Sequence, residues 1–534
     1  MMNTLPRTHN MSHAPHSSTP PPRPRGHRTT LWATLLLAGN AFAEAPAVSN
    51  AALPIQRALE QGLRPSMLKM DEPLPGWSLK QRLEHYHVPG VAIAVLKDGK
   101  VIHAAGFGLR EADSKDAVDA DTLFSVGSVS KVVASAATLR HVASGKLDLD
   151  RDVNTYLTSW KVHAAPAFTR NALTLRMLMS HTSGLTVWGF EDYQPDEKLP
   201  TLVQTLDGVK PAKNEPVRID FEPGTRMRYS GGAVTVEQLV LEDTQRKPLE
   251  ALARAEVFQP IGMRRSTYVN PVPVKLGNIA KAHDKNGQRV ALPRGYESFP
   301  EQAASGLWTS ANDLGAFVGT LIASYQGKNP YLPRPLAVQM MTEVSPSHFG
   351  LGPRLAGDGP ARVFHHGGSN DSYRAWIEGY LETGDGLVVL TNGTNGTQLA
   401  TEIRNAISDA LGRGNNPVLR TVTLPAAALA DFTGTFRWDK SVPHELAGNL
   451  SAQFESDTLE FGTANGVVTA KEGNGPAFPL HALTPTRFVT PGDALIQLRI
   501  EFLRNAHGTV KAVRVDRGSG TLLFRREEAP ASKP

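Results

Sequence analysis

One break governs what this chain can fold into. The run Gly412-Arg413-Gly414-Asn415-Asn416-Pro417 combines glycines, asparagines and a proline, a composition that ends regular structure. Upstream of it, helical and strand spacings of apolar residues are mixed. Downstream, apolar and polar residues alternate in short runs. At 534 residues the chain is too long for one ordinary domain. Two folded units are therefore expected, residues 55–412 and 420–530.

Within the first unit, a helix near Leu79 to Tyr86 leads into the apolar run Val91 to Leu96. Lys97-Asp98-Gly99 follows, and Asp-Gly between two apolar runs signals a hairpin with Val101 to Gly106 returning. Residues 122–342 read as mostly helical, broken by Pro and Gly loops. Ser310 and Asp313 resemble a capping box opening a helix through Leu321. Strands return at Tyr373–Leu381 and Leu387–Thr391, and a helix from about Leu399 to Leu411 closes the unit. The fold class is α/β (α+β). In the second unit Ile496, Leu498, Ile500 and Phe502 alternate with polar residues, a period that buries one face of a strand. Phe432, Phe436, Leu459, Phe461, Phe488 and Leu523 lie on similar runs, which predicts a small antiparallel barrel or sandwich.

The N-terminus reads as an export signal rather than as structure. Arg25, His27 and Arg28 precede the short apolar run Leu31 to Ala38, and Ala41-Phe42-Ala43 supplies small residues around a cleavage site. Residues 1–43 are the expected signal, with cleavage after Ala43 and a periplasmic or secreted destination. The apolar run is far shorter than the about 20 residues a membrane-crossing helix needs, and no later segment qualifies. The net charge of +5 draws on arginines of this same N-terminal stretch, so it gives little reason to expect a nucleic-acid partner. With no cysteine, disulfides, thiolate-bound metals and cysteine nucleophiles are all excluded.

Chemistry concentrates at Phe124-Ser125-Val126-Gly127-Ser128-Val129-Ser130-Lys131, followed by a helix-forming run through Arg140. If Ser128 opens that helix, Lys131 lies three residues on and shares its face. Helix-start amides favour a developing oxyanion there. A serine hydroxyl becomes nucleophilic when a base takes its proton, and a lysine amine serves when its environment favours the neutral form. Tyr229-Ser230-Gly231-Gly232 leads into a helical stretch from Val234, and Phe364-His365-His366-Gly367-Gly368-Ser369-Asn370 precedes Tyr373. Glycines on an edge strand let a substrate backbone pair with it. The paired histidines invite a metal reading, but neighbours on a strand point to opposite sides, so neither metal nor other cofactor is expected.

Together these motifs resemble the serine β-lactamase and penicillin-binding family, in its class C β-lactamase, DD-peptidase and esterase branch. Val88-Pro89-Gly90, Leu178-Met179-Ser180-His181-Thr182-Ser183-Gly184-Leu185 and Ala304-Ser305-Gly306-Leu307-Trp308-Thr309-Ser310 add to the match, in the family's order from about Val88 to Leu411. The resemblance implies a β-lactamase/transpeptidase-like fold, with the C-terminal unit similar to lipocalin-like appendages of relatives. It implies Ser128 as acylated nucleophile, Lys131 as its base partner and Tyr229 as proton relay. The amides of Ser128 and Ser369 stand as the oxyanion hole, and His366-Gly367-Gly368 on the strand that lines the site. His181 and Trp308 match signature positions and are read as packing or loop-ordering residues rather than reacting ones.

Two departures shape the expected substrate. Gly231 stands where class C enzymes carry the asparagine of Tyr-x-Asn, and His366 where they carry the lysine of Lys-Thr-Gly. A neutral imidazole grips a substrate carboxylate less well than an ammonium. The expected activity is therefore hydrolysis of a small-molecule ester, amide or peptide through an acyl-enzyme. β-Lactamase or D-Ala-D-Ala carboxypeptidase activity is the enzymatic alternative, and a non-catalytic peptidoglycan or peptide binder is the other. Water activation by Glu191 or Asp192 ranks below Tyr229.

Overall fold

The structure is a computed structural model. It describes residues 52–527 apart from 164–166, 169–170, 195, 293–296, 443–446, 455, 493–494, 496 and 519. The expected signal, residues 1–43, lies outside the described residues, as does Ile496.

A six-stranded antiparallel sheet forms the centre of the first unit. In chain order its strands are β1 (Gly90–Lys97), β2 (Lys100–Gly108), β3 (Arg354–Ala356), β4 (Val363–Ser369), β5 (Arg374–Tyr380) and β6 (Gly386–Thr391). Across the sheet the order is β2-β1-β6-β5-β4-β3. The run Val91 to Leu96 is apolar at every position because both faces of β1 are covered. Val91, Ile93 and Val95 pack with Leu399, Ile403 and Ile407, while Ala92, Ala94 and Leu96 face Leu314, Phe317 and Val318. The covering helices are α1 (Leu53–Gln61), α2 (Leu79–Tyr86) and α6 (Gly396–Ala410) on one side and α5 (Ala311–Tyr325) on the other. The β1–β2 turn has Asp98 at φ 51° and Gly99 at φ 71°, the left-handed pair that Asp-Gly accommodates.

Helices α3 (Val129–Ala143) and α4 (Gly231–Gln245) belong to the helical region beside this sheet. That region is less regular than the sequence suggests, with turns and loops through much of residues 262–301. Helix α5 extends to Tyr325, and Ser310 Oγ accepts from Asp313 N at 3.2 Å. The reciprocal half of a capping box is missing. The Asp313 carboxylate instead accepts from Arg264 N, Arg265 N and Ser266 Oγ.

Between α3 and α4, Thr138 Oγ1 donates to Glu237 Oε1 at 2.6 Å, and Glu237 is fully buried. Burial pushes this carboxyl up to about 7. Its folded value exceeds the unfolded one of 4.5, so its stabilising contribution is complete below the unfolded value and is lost as pH rises through about 7. Glu297 and Glu301, raised by burial to about 8, act with the same sign. Glu237→Gln keeps the neutral shape and should make the drop in melting temperature between pH 5 and pH 8 smaller than in the wild type. An unchanged drop would contradict this ionisation.

Past the break, nine described strands form a nearly closed antiparallel sheet: β7 (Gly434–Trp438), β8 (Thr458–Ala464), β9 (Val467–Glu472), β10 (Phe478–Pro479), β11 (His481–Ala482), β12 (Arg487–Val489), β13 (Arg499–Arg504), β14 (Val510–Arg517) and β15 (Gly520–Arg526). Their order is β10-β9-β8-β7-β15-β14-β13-β12-β11, so the end strands of the sheet adjoin in the chain across Leu480. Phe432, Phe436, Phe461, Phe488 and Phe502 form an aromatic centre with ring centroids 4.7–6.2 Å apart. Leu523 lies on a strand, as its run suggests. Alternation along β15 buries Leu522 and Phe524, leaving Leu523 half-exposed.

The break itself is held in place. Arg413 Nη1 lies 3.2 Å from Glu378 Oε1, and Asn416 O accepts from Arg64 Nη2 at 2.7 Å. Asn449 Nδ2 also reaches Glu343 Oε2 at 3.2 Å, joining the C-terminal part to the first.

Candidate active site

Ser128 stands at the start of α3, with helical backbone angles and a side chain that caps no amide. Its Oγ is left to the Lys131 Nζ, 3.1 Å away, one turn along the helix. Lys131 is buried, and its Nζ also contacts Ala304 O at 2.7 Å. That second contact fixes the amine from the Ala304-Ser305-Gly306 segment. Neighbouring serines are committed elsewhere: Ser125 Oγ accepts from Asn370 Nδ2 at 2.6 Å, and Ser130 Oγ accepts from Leu307 N at 3.0 Å.

Tyr229 lies directly ahead of α4, and its ring centroid is 5.1 Å from Lys131 Nζ. His181 holds it from below, with ring centroids 4.3 Å apart. His181 Nδ1 accepts from Ser230 N at 3.2 Å, tying the imidazole to the residue after the tyrosine. Burial, then Lys131, holds His181 well below the usual histidine range, so it is neutral. The packing role read for His181 thus has a specific object, the orientation of Tyr229. Trp308 is buried, pairs with Ser125 in a two-stranded ladder and packs edge-on against Tyr373.

Strand β4 brings His366, Gly367, Gly368 and Ser369 to the same place. His365 and His366 do point apart: His365 stacks on Trp376 at 5.2 Å, whereas His366 faces the Tyr229 ring at 6.2 Å. His366 Nδ1 bonds Gly367 O at 2.7 Å, which makes Nδ1 the protonated nitrogen and leaves the buried Nε2 as an acceptor without a partner among the described residues. Burial, followed by Arg354 and Lys131, lowers His366 to about 3. It is uncharged at any ordinary pH.

The backbone of β4 meets the Val126–Ser128 turn almost without space. A Cβ on Gly368 would stand 1.9 Å from Val126 O, and one on Gly127, at φ 47°, would stand 2.8 Å from Ser369 N. Asn370 N bonds Tyr373 O, so by alternation the amides of Gly367 and Ser369 point away from β5. Strand β3 pairs with β4 only as far as His365. Ser369 thus lies beyond the end of the β3 pairing, with its nitrogen close to the Gly127 backbone. Gly368→Ala should force the β4 and Val126–Ser128 backbones apart and lower turnover of the expected ester substrates at least a hundredfold, read alongside a circular dichroism spectrum that stays native. Wild-type turnover in that variant would show the close approach to be dispensable.

Sequence reasoning missed Arg354 on β3. Its guanidinium lies over the rings of Phe349 (4.6 Å) and Tyr229 (5.5 Å), and Nη1 is 3.0 Å from His348 Nε2. Among the described residues it has no carboxylate partner. The segment that carries it has no motif character, and only the β3–β4 pairing places it beside Tyr229. Asp192, weighed as a water activator, is instead engaged with Ser298 N at 2.9 Å and raised by burial to about 6, while Glu191 is exposed. Among the described residues no cluster of His, Asp and Glu is arranged to hold a metal.

A family model described as Beta-lactamase matches residues 78–412, well over half of the chain. The chain belongs to the beta-lactamase family. Its relatives in this family include the esterase EstB of Burkholderia gladioli, 28% identical over 40% of this chain and 58% of that protein. A beta-lactamase of Lysobacter lactamgenus is 27% identical over 44% of this chain and 56% of that protein. A D-aminopeptidase of Brucella anthropi is 25% identical over 54% of each. The chain spans somewhat more than half the length of these curated relatives. Among solved structures, the octameric penicillin-binding protein homologue from Pyrococcus abyssi superposes with a TM-score of 0.54 at 19% identity, over 83% of this chain and 98% of that one. The fold is that of the beta-lactamase/transpeptidase group, and the relatives are serine hydrolases that include esterases, beta-lactamases and peptidases. Among the described residues no helix is long and apolar enough to cross a membrane.

Proposed function

We propose that this beta-lactamase family member is an exported serine hydrolase that cleaves an ester or a small amide or peptide through an acyl-enzyme on Ser128. The observation that carries the reading is the isolated pair of Ser128 Oγ and Lys131 Nζ at 3.1 Å, with the amine braced on Ala304 O. In the first step Ser128 Oγ bonds the substrate carbonyl carbon while its proton passes to the Lys131 amine. The oxyanion is received by the Ser128 and Ser369 amides. As the carbonyl re-forms, the bond to the leaving atom breaks, and that atom takes a proton relayed through Tyr229. Water then attacks the acyl-serine with the same groups acting in reverse. No cofactor enters either step.

His366 supports the ester preference, because it puts a neutral imidazole where a cation would grip a carboxylate. Short acyl esters should exceed penicillins and D-Ala-D-Ala peptides in kcat/KM. Arg354 favours the second reading, β-lactamase or carboxypeptidase activity, since it supplies a cation beside Tyr229 from a different strand. Measuring both substrate classes decides between them: faster β-lactam than ester turnover would overturn the first reading.

A further inference from the structure

Trp188 is out of place for a structural residue. It is 74% exposed, the most exposed of the large hydrophobic side chains among the described residues, so it gains little from packing. Yet the backbone ahead of it is held in an unfavourable form. Val187 sits at φ 66°, a conformation that a β-branched residue rarely adopts and that persists only where the surroundings impose it.

The surroundings are the start of α4. Gly231 N donates to Trp188 O at 3.2 Å, Gly232 N donates to Val187 O at 3.0 Å, and Ser230 Oγ donates to Thr186 O at 2.8 Å. A Cβ on Gly231 would stand 3.0 Å from Phe190 Cε2 and 3.2 Å from Trp188 O, and one on Gly232 would stand 2.7 Å from Thr186 O. The glycine that removes an asparagine amide from the site thus makes room for this loop. The indole ends 5.9 Å from the Tyr229 ring, tilted at 52°, within the spacing of interacting aromatic rings.

We propose that Trp188 is a specificity-determining wall for an aromatic leaving group, the alcohol or amine half of the ester or amide. This rests on the acyl-enzyme reading above. Tyr229 delivers the proton to the leaving atom in this reading, so a ring 5.9 Å from Tyr229 is placed to meet substituents of that atom rather than the acyl chain. The step is ordinary acyl transfer: the Ser128 Oγ–carbonyl carbon bond forms, the carbonyl carbon–leaving atom bond breaks, and the serine proton leaves on the departing alcohol or amine. A benzyl group stacks on the indole, whereas an ethyl group reaches it poorly.

The test compares benzyl and ethyl esters of one acyl group, and separately ethyl esters of phenylacetyl and butyryl groups. Trp188→Ala should lower the benzyl-to-ethyl ratio of kcat/KM about tenfold, with most of it restored in Trp188→Phe. The phenylacetyl-to-butyryl ratio should move less than twofold. Gly231→Asn, which crowds the loop, should lower the benzyl-to-ethyl ratio as well. A ratio unchanged in Trp188→Ala while both esters slow together would overturn the proposal, as would a change confined to the acyl series. Mass spectrometry of the wild type keeps the two readings apart: absence of an acyl adduct on Ser128 would sink the acyl-enzyme reading, whereas an adduct with unaltered ratios would sink only the role of Trp188.

Discussion

Ser128→Ala is expected to abolish labelling by a fluorophosphonate and to lower turnover by on the order of a thousandfold or more, with folding intact. The loss is severe because the neighbouring serine hydroxyls are engaged elsewhere. Ser125 accepts from Asn370, Ser130 accepts from Leu307 N, and both are buried. Folding should survive because the Ser128 side chain caps no helix amide and its hydrogen bond is to the lysine amine. A label that appears on Ser125 or Ser130 in the variant would reject the assignment.

Lys131 should be as costly to lose. Serine and lysine act as one unit, so Lys131→Ala should slow acylation about as much as loss of the serine, and the double variant should be little worse than either. Lys131→Arg should fail too, because a guanidinium is always protonated and cannot accept the serine proton. The alanine variant leaves Ala304 O without its donor, at a stability cost of about 1–3 kcal/mol. Melting curves therefore accompany the kinetics, so that a loss of fold is not mistaken for a loss of base. Robust acylation by Lys131→Arg would remove Lys131 from the role of base.

Much of this site was legible in the sequence because its parts are local. Ser128 and Lys131 are three apart on one helix, Tyr229 adjoins a helix start, and His366 to Ser369 share one strand. Simple periodicities place each on its element, and the family's motif order links the elements. Arg354 was not legible. It reaches Tyr229 only because β3 pairs with β4, a long-range register that no local pattern encodes. Trp188 stayed hidden for a related reason, since its exposure depends on how Gly231 and Gly232 receive the carbonyls of the preceding loop. The central sheet was foreseeable in part, from the hairpin signalled by Asp98-Gly99 after the apolar run Val91 to Leu96 and from the strands at Tyr373 to Leu381 and Leu387 to Thr391. Which face of β15 turns inward was not legible, because Leu522, Leu523 and Phe524 are consecutive and apolar and the run does not say which parity is buried.

The central claim is a covalent acyl intermediate on Ser128. Mixing the protein with a slowly deacylating ester, quenching in acid and mapping the peptides by mass spectrometry tests it directly. The account predicts one acyl group per protein on the peptide containing Ser128, appearing before product accumulates and lost as hydrolysis completes. Steady product formation with no adduct, or with the acyl group on another residue, would contradict it.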